Sequence, residues 1–507
     1  MSRPKAASPE PEIALPLRHY AEQAFSRAAG APLVAGNSVR ILRNAAENYP
    51  AWLAAIRAAQ HKIHFENYII ADDSVGREFA AAMAERARAG VRVRVIYDWM
   101  GALGAASRRV LQPVVNAGGE VRCFNPPRLD SPFGWMLRDH RKMVAVDGQV
   151  GFVTGLCASR KWTGDPARGV EPWRDTGLEV RGPAVADIER AFAGIWSVMG
   201  APIPEEELTA ADSIPAADGV TLRVLATTPN VAGLYRLDQL IAAMARRTLW
   251  LTDAYFVGVA PYVQALRAAA LDGVDVRLLV PGASDLPVIS PLSRAGYRPL
   301  LEAGIRVFEW NGPMLHSKTA VADCRWARVG SSNLNISSWI GNYELDVAVE
   351  DEDFAEAMQA MYEEDLLNAT EIVLSARNRV RATTAVRRAR GRFRGGSAGR
   401  AAAGALRIGN TVGAAITNRR VLGPAEAGTM AGAGVGLLGL AAAVIAWPLT
   451  LALPLAMLGV WMAVSFLVRA KELRAQHNTH PEDDAGAEPR GARPARPARR
   501  ARRPPRF

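Results

Sequence analysis

The sequence predicts an α/β protein of two similar lobes, each with a mixed, mostly parallel sheet flanked by helices. The lobes would be related by a pseudo-two-fold axis and followed by a C-terminal transmembrane helical hairpin. Three observations predict this. The pattern His-x-Lys-x4-Asp occurs twice, as His140/Lys142/Asp147 and His316/Lys318/Asp323, with a constant offset of 176 residues. Strand–helix–strand order recurs around each copy, which implies packed sheet and helix layers in a duplicated domain. Finally, Ala427 to Val468 is 42 residues without one charge.

Residues 1–35 are rich in Pro, Ala and charge and lack an apolar signal-peptide core, so a flexible segment is expected. The first lobe spans 36–205. HKIHFENYII reads as a strand, EFAAAMAERARAG as a helix and VRVRVIYD as a second strand. The second lobe, 206–370, repeats the order with RTLWLTDAYFV, YVQALRAAALDG and VDVRLLVPG. GGEVRCFNPP and AGIRVFEWNGP then each lead toward a His-x-Lys.

Charge divides the chain. From Arg377 to Arg420 there are twelve arginines and no acidic residue, although the net charge of the whole chain is only +11. The body is therefore mildly acidic, and the basic isoelectric point says nothing about its site. The Arg-rich segment, 371–426, next to an apolar stretch suits anionic headgroups at roughly 1 kcal/mol per basic residue. A solvated linker and a nucleic-acid contact are the alternatives. The apolar stretch, 427–468, is about twice the roughly 20 residues of one span, and Pro448 and Pro454 interrupt it near the middle. Basic residues at both ends put both ends on the cytoplasmic side. A buried soluble hairpin and a re-entrant insertion at Pro454 are the alternatives. The tail, 469–507, is basic, of low complexity and expected to be disordered. Cys123, Cys157 and Cys324 have neither metal-ligand spacing nor a disulfide framework, so no metal is expected.

The repeated motif carries the chemistry. Residues two apart on a strand point to one face, so each His–Lys pair offers an imidazole and an ammonium to a common cavity. Two such pairs meeting across the lobes form a phosphate-handling site without a cofactor. The lysines hold anionic oxygens, one imidazole attacks phosphorus and the other protonates the leaving oxygen. A nucleophilic imidazole needs a carboxylate to fix its tautomer. Glu344, 28 residues after His316, and Asp175, at the matching place in WRDTGLEV, are the candidates. Ser331, Ser332 and Asn333, in GSSN, are candidate ligands for phosphate oxygens, whereas the first lobe has TGLC, with Cys157 in place of an amide. Trp99, Trp135, Trp162 and Trp173 surround the first motif and suit either the core or acyl chains.

HRKMVAVD…TGLC and HSKTAVAD…GSSN, with IHFENYII and LTDAYFV upstream, resemble the two HKD motifs of the phospholipase D superfamily. More narrowly, they resemble bacterial cardiolipin synthases and related phosphatidyltransferases. The resemblance spans about residues 36–365. It implies two phospholipase D-like lobes with one site at their interface and a ping-pong reaction through a phospho-histidine. His140 would then be the nucleophile and His316 the general acid. Lys142, Lys318 and Asn333 would contact phosphate, while Asp147 and Asp323 complete the catalytic motif by bracing the loop after the strand. Glu66, Tyr68, Asp253 and Tyr255 would line the pocket or pack beside it. The implied enzyme sits at the bacterial inner membrane, catalytic domain on the cytoplasmic side, with phosphatidylglycerol as the expected lipid substrate. Hydrolysis by water and headgroup exchange, for example phosphatidylglycerol formation, are the alternatives. A nuclease is disfavoured by the hairpin. Two departures stand out. Cys157 replaces the usual Asn, and the hairpin is C-terminal where the best-known synthases carry it N-terminally.

Overall fold

Two mixed sheets share one strand in the computed structural model of the 507-residue chain. The structure describes residues 23–101, 105–127, 137–286, 289–374 and 380–382, with scattered helical positions between 435 and 467. One compact unit, 1–127 with 133–438, holds both lobes, and 128–132 with 439–507 make a second.

The first sheet is built from β1 (Val34–Arg43), β2 (Lys62–Asn67), β3 (Arg92–Asp98), β4 (Glu120–Phe124), β6 (Lys142–Val146), β7 (Val150–Thr154) and β8 (Thr176–Arg181), while the two-residue β5 (Arg138–Asp139) pairs outside it, in parallel with a strand of the second lobe. The second contains β9 (Val220–Thr227), β10 (Thr248–Thr252), β11 (Asp275–Pro281), β12 (Arg306–Trp310), β13 (Thr319–Ala322), β14 (Trp326–Gly330), β15 (Asn342–Val349), β16 (Ala369–Leu374) and β17 (Val380–Ala382). β2–β3–β4 and β10–β11–β12 run parallel. The remaining ladders of both sheets are antiparallel: β2–β6–β7–β8–β1 in the first, β10–β13–β14–β15–β9 and β12–β16–β17 in the second. The expectation of mostly parallel sheets is therefore corrected to mixed sheets with an antiparallel majority. The reason is local. A parallel neighbour needs a long crossover, but β6 and β7 are joined by only three residues, Asp147–Gly148–Gln149, which permit only a hairpin.

Alternation along the strands builds three cores. In β6, Met143 and Ala145 enter a central core, while Val144 and Val146 face an outer one. In β13, Val321 turns to the central core and Ala320 and Ala322 to the opposite outer core. The central core thus takes residues from both lobes, among them Ile96, Leu178, Leu222, Leu345 and Val347. Helices Val185–Val198 and Glu352–Leu367 add Phe192, Trp196, Met358 and Tyr362 to it. The outer cores pack the helices Asn44–Ala58 and Ser74–Arg88 on one sheet and Gly233–Met244 and Ala260–Leu271 on the other.

The segment expected to be flexible up to residue 35 contains a helix at 23–29, whose Phe25 and Ala29 pack on the second lobe's core. Among the described residues no helix is long and apolar enough to cross a membrane. The predicted hairpin at 427–468, nearly all of the Arg-rich segment, the tail and Trp135 lie outside the described residues, the scattered helical positions excepted.

The aspartates of the repeated motif explain how each motif strand is held. Asp147 and Asp323 take left-handed φ values of 54° and 53° just after β6 and β13. The Asp147 carboxylate accepts the N–H groups of Gln60, His61 and Lys62 at 2.7–2.8 Å. Asp323 accepts those of Arg246, Arg247 and Thr248 at 2.7–2.9 Å. Each carboxylate ties the end of its motif strand to the start of β2 or β10. Asp147→Ala is expected to lower unfolding stability by about 1–3 kcal/mol in urea titrations. Asp147→Asn, which tolerates the left-handed turn and keeps one acceptor oxygen, should lose less.

Candidate active site

The catalytic motifs begin one step before their strands. His140 lies in the link between β5 and β6, and His316 and Lys318 precede β13. Main-chain bonds fix both histidines against the other lobe. The N–H of His140 donates to the carbonyl of Tyr343 at 2.9 Å, and that of His316 to Arg174 at 2.7 Å. Each acceptor stands immediately before a predicted orienting acid.

The side chains complete a crossed arrangement. His140 Nδ1 meets Glu344 at 2.9 and 3.1 Å, and His316 Nδ1 meets Asp175 Oδ2 at 2.7 Å. The carboxylate for each imidazole thus comes from the opposite lobe. Both acids are fully buried, and His316 is 5% exposed. With Nδ1 engaged as the donor, Nε2 of each ring is left with a lone pair or a transferable proton. Lys142 donates to the carbonyl of His140, and Lys318 to that of His316, with its Nζ also 3.1 Å from His316 Nδ1. Each lysine acts electrostatically on the histidine of the other lobe, so the four groups share one field.

Burial dominates that field. It pushes the His316 imidazole down to about 3, aided by Lys318 and opposed by Asp175. The His140 imidazole is lowered for the same reason, against the pull of Glu344. Burial also brings the Lys318 ammonium down to about 8. For Glu344 burial works toward a higher value, but His140, Lys142 and the Ser331 hydroxyl outweigh it and hold the carboxyl at about 2. Asp175 is likewise lowered, as His316, Lys318 and Trp162 overcome its burial. The site therefore holds neutral rings on ionised carboxylates.

The GSSN residues divide. Ser331 Oγ donates to Glu344 Oε2 at 2.6 Å, and Ser332 Oγ donates to Asp346. Both hydroxyl protons expected on phosphate are thus spent on carboxylates. Asn333 is 4% exposed and its Oδ1 has no partner among the described residues. Asp147 and Asp323 are occupied by main chain, as described above. Aromatic rings line the histidines. Tyr68 stands edge-on to His140 at 5.0 Å, and Trp162 and Tyr255 edge-on to His316 at 5.2 and 5.8 Å. Trp162 and Trp173 are buried, in keeping with core packing.

Sequence reasoning missed the groups that hold the acids. Trp162 Nε1 donates to Asp175 Oδ2 at 2.8 Å and Asn342 Nδ2 to Glu344 Oε1 at 3.1 Å. Asn44, at φ 56°, brackets Asp175 from both sides. Its N–H donates to the Asp175 carbonyl at 2.9 Å, and its Oδ1 accepts the Asp175 N–H at 3.0 Å. Arg174 fixes the same backbone through two 2.8 Å bonds to Asp365.

An imidazole is charged only below its pKa, so the lowered value predicts a neutral His316 across the physiological range. Its Cε1–H shift in NMR should stay flat from pH 8 to pH 5 and move only on approach to about 3. A midpoint above 6 would contradict a dry site.

The comparisons with known proteins agree with this geometry. The family model described as "Cardiolipin synthase, PLD-like domain" matches residues 52–196 and 238–366, one segment in each lobe. Cardiolipin synthase A of Pseudomonas fluorescens (strain SBW25) is 33% identical over 351 residues, covering 67% of this chain and 71% of that protein. Cardiolipin synthase A of Pseudomonas aeruginosa (strain LESB58) is 34% identical over 365 residues, 71% of this chain and 73% of that one. The crystal structure of phosphatidylserine synthase from Haemophilus influenzae Rd KW20 shares the fold, with a TM-score of 0.54 at 14% identity over 69% of this chain and 91% of the other. Two copies of one catalytic motif, crossed acids and a two-segment family match lead to one assignment: the chain belongs to the phospholipase D-like cardiolipin synthase family.

Proposed function

We propose that the protein is a membrane-associated phosphatidyltransferase that forms cardiolipin from two phosphatidylglycerol molecules. The observation that carries this reading is that two carboxylate-backed imidazoles and two buried lysines lie close enough to act on one another across the lobes. His140 Nε2 attacks the phosphorus of the first lipid. The bond to the glycerol headgroup breaks, and His316 gives the departing oxygen its proton. This leaves a phosphatidyl–His140 intermediate and a neutral His316. The hydroxyl of a second phosphatidylglycerol gives its proton to His316 and attacks phosphorus, which frees His140 and yields cardiolipin. Per turnover, two phosphatidylglycerols become one cardiolipin and one glycerol.

Burial and the lysines favour a neutral nucleophile, while the second imidazole must arrive protonated. A bound phosphodiester supplies that difference. Its negative charge offsets Lys142 and Lys318, the groups that together with burial depress His316. Asp175 then stabilises the imidazolium, as Glu344 stabilises the charge that develops on His140. Lys142, Lys318 and the Asn333 amide hold the non-bridging oxygens. The Arg-rich run and the uncharged stretch at 427–468 keep this cavity at the cytoplasmic face of the bacterial inner membrane, where both lipids reside.

Purified full-length protein with labelled phosphatidylglycerol should give labelled cardiolipin and free glycerol, and His140→Ala and His316→Ala should each remove the product. Normal transfer by either variant would sink the mechanism. Phosphatidic acid as the main product would instead identify water as the acceptor. Glu344→Gln and Asp175→Asn keep the shape of their side chains but lose the charge. Each is expected to lower kcat by roughly 10²–10⁴-fold with little change in KM.

A further inference from the structure

The two lobes place corresponding residues around their lysines, and the pairing exposes an exchange. In the first lobe Asn67 stands directly across from Lys142 in the β2–β6 ladder. In the second, the β10–β13 ladder ends at Thr252 opposite Thr319, so the next pair outward sets Asp253 against Lys318, whose charge it feels. Asn67 Oδ1 accepts the N–H of Ala158 at 3.3 Å, and Asp253 Oδ1 accepts that of Leu334 at 2.8 Å. Ala158 directly follows Cys157, and Leu334 directly follows Asn333. Position 67 therefore corresponds to 253, and 157 to 333. The second lobe has a carboxylate at the first position and a carboxamide at the second. The first lobe has the carboxamide at the first position and a thiol at the second. Each lobe keeps one carboxamide beside its lysine, on alternate sites.

The Asn67 amide is also chemically unfinished. Its side chain is fully buried, and Nδ2 has no hydrogen-bond partner among the described residues. Because Oδ1 is fixed as the acceptor of a backbone N–H, the oxygen and nitrogen cannot be exchanged to relieve this. Buried donors are ordinarily paired, and one left open beside a catalytic lysine awaits an acceptor that arrives with substrate. Cys157 cannot take that role. Its thiol is a weak donor and burial keeps it protonated. Asp253 spends its oxygens on the N–H groups of Leu334 and Tyr255.

We propose that Asn67 is the first lobe's phosphate ligand, its Nδ2 donating to a non-bridging oxygen of the phosphodiester as the counterpart of Asn333. This assignment rests on the phosphatidyl-transfer reading given above. The amide missing at position 157 is supplied instead from the neighbouring end of β2, so the substrate still meets one carboxamide from each lobe.

Asn67→Asp tests it, because the side chain keeps an acceptor for Ala158, loses the amide donor and acquires the ionisable group that Asp253 places at the matching position of the second lobe. In full-length protein it should lower kcat for cardiolipin formation by roughly 10–10³-fold and weaken inhibition by inorganic phosphate more than tenfold. The double variant Asn67→Asp/Cys157→Asn reproduces the second lobe's arrangement and should recover at least tenfold of the lost rate. Should Asn67→Asp fail to fold, the same comparison runs between Asn67→Ala and Asn67→Ala/Cys157→Asn. Wild-type rate and phosphate inhibition in the single variant, or no recovery in the double, overturns the assignment. His140→Ala separates the two claims. If it is inactive while Asn67→Asp is normal, only the role of Asn67 falls; if it is active, the transfer reading falls first.

Discussion

Two imidazole–carboxylate hydrogen bonds that cross between lobes govern this molecule. His140 takes its carboxylate from the second lobe and His316 from the first. Neither half can fix the tautomer of its own histidine, so duplication has produced interdependence rather than two sites. The main chain repeats the rule, since each histidine N–H is bound by the residue preceding the other lobe's acid. Such a site demands that two sheets meet in one fixed position. The central core, with apolar residues from facing strands of both lobes, supplies that rigidity.

Burying the site has a cost that is met in part by hydrogen bonds from buried guanidinium groups. Arg141, 2% exposed, gives its guanidinium to the carbonyls of Glu344, Ala191 and Thr227. Arg328 pairs with Asp346 at 2.9 Å, and Asp346 in turn takes the Ser332 hydroxyl. These groups sit next to the catalytic residues in sequence but face away in role. They anchor the backbone from which Lys142, Asn333 and Glu344 project. A low dielectric strengthens every remaining charge in the cavity, which is why four titratable groups there depart together from their ordinary behaviour.

Much of this was legible in the sequence, and the reasons are specific. The doubled His-x-Lys-x4-Asp located the site because chemistry and turn geometry fall within eight residues of one another. Alternation of apolar residues revealed β6 and β13. Asp175 and Glu344 were reachable because each lies at or near the start of the strand that follows its lobe's TGLC or GSSN turn. Their crossed pairing was not legible, since contacts over 141 and 204 residues leave no local trace. Ser331 and Ser332 looked like phosphate ligands by composition, yet proximity to buried carboxylates decides where a hydroxyl proton goes. The sheets were expected to be mostly parallel because strand–helix–strand units dominate the pattern. The tight turn after Val146 outweighs that pattern for every later strand of the first sheet. Asn44 and Trp162 act through tertiary contacts alone.

β1 is hydrogen-bonded to β8 in one sheet and to β9 in the other, and the two-residue β5 of the first lobe pairs in parallel with β15 of the second. The lobes are therefore stitched by main chain as well as by side-chain packing. A hinge opening of one half from the other would have to tear ladder bonds that no solvent molecule replaces inside the core. Exchange of lipid at the paired histidines is then served more economically by movement of connecting segments than by separation of whole halves.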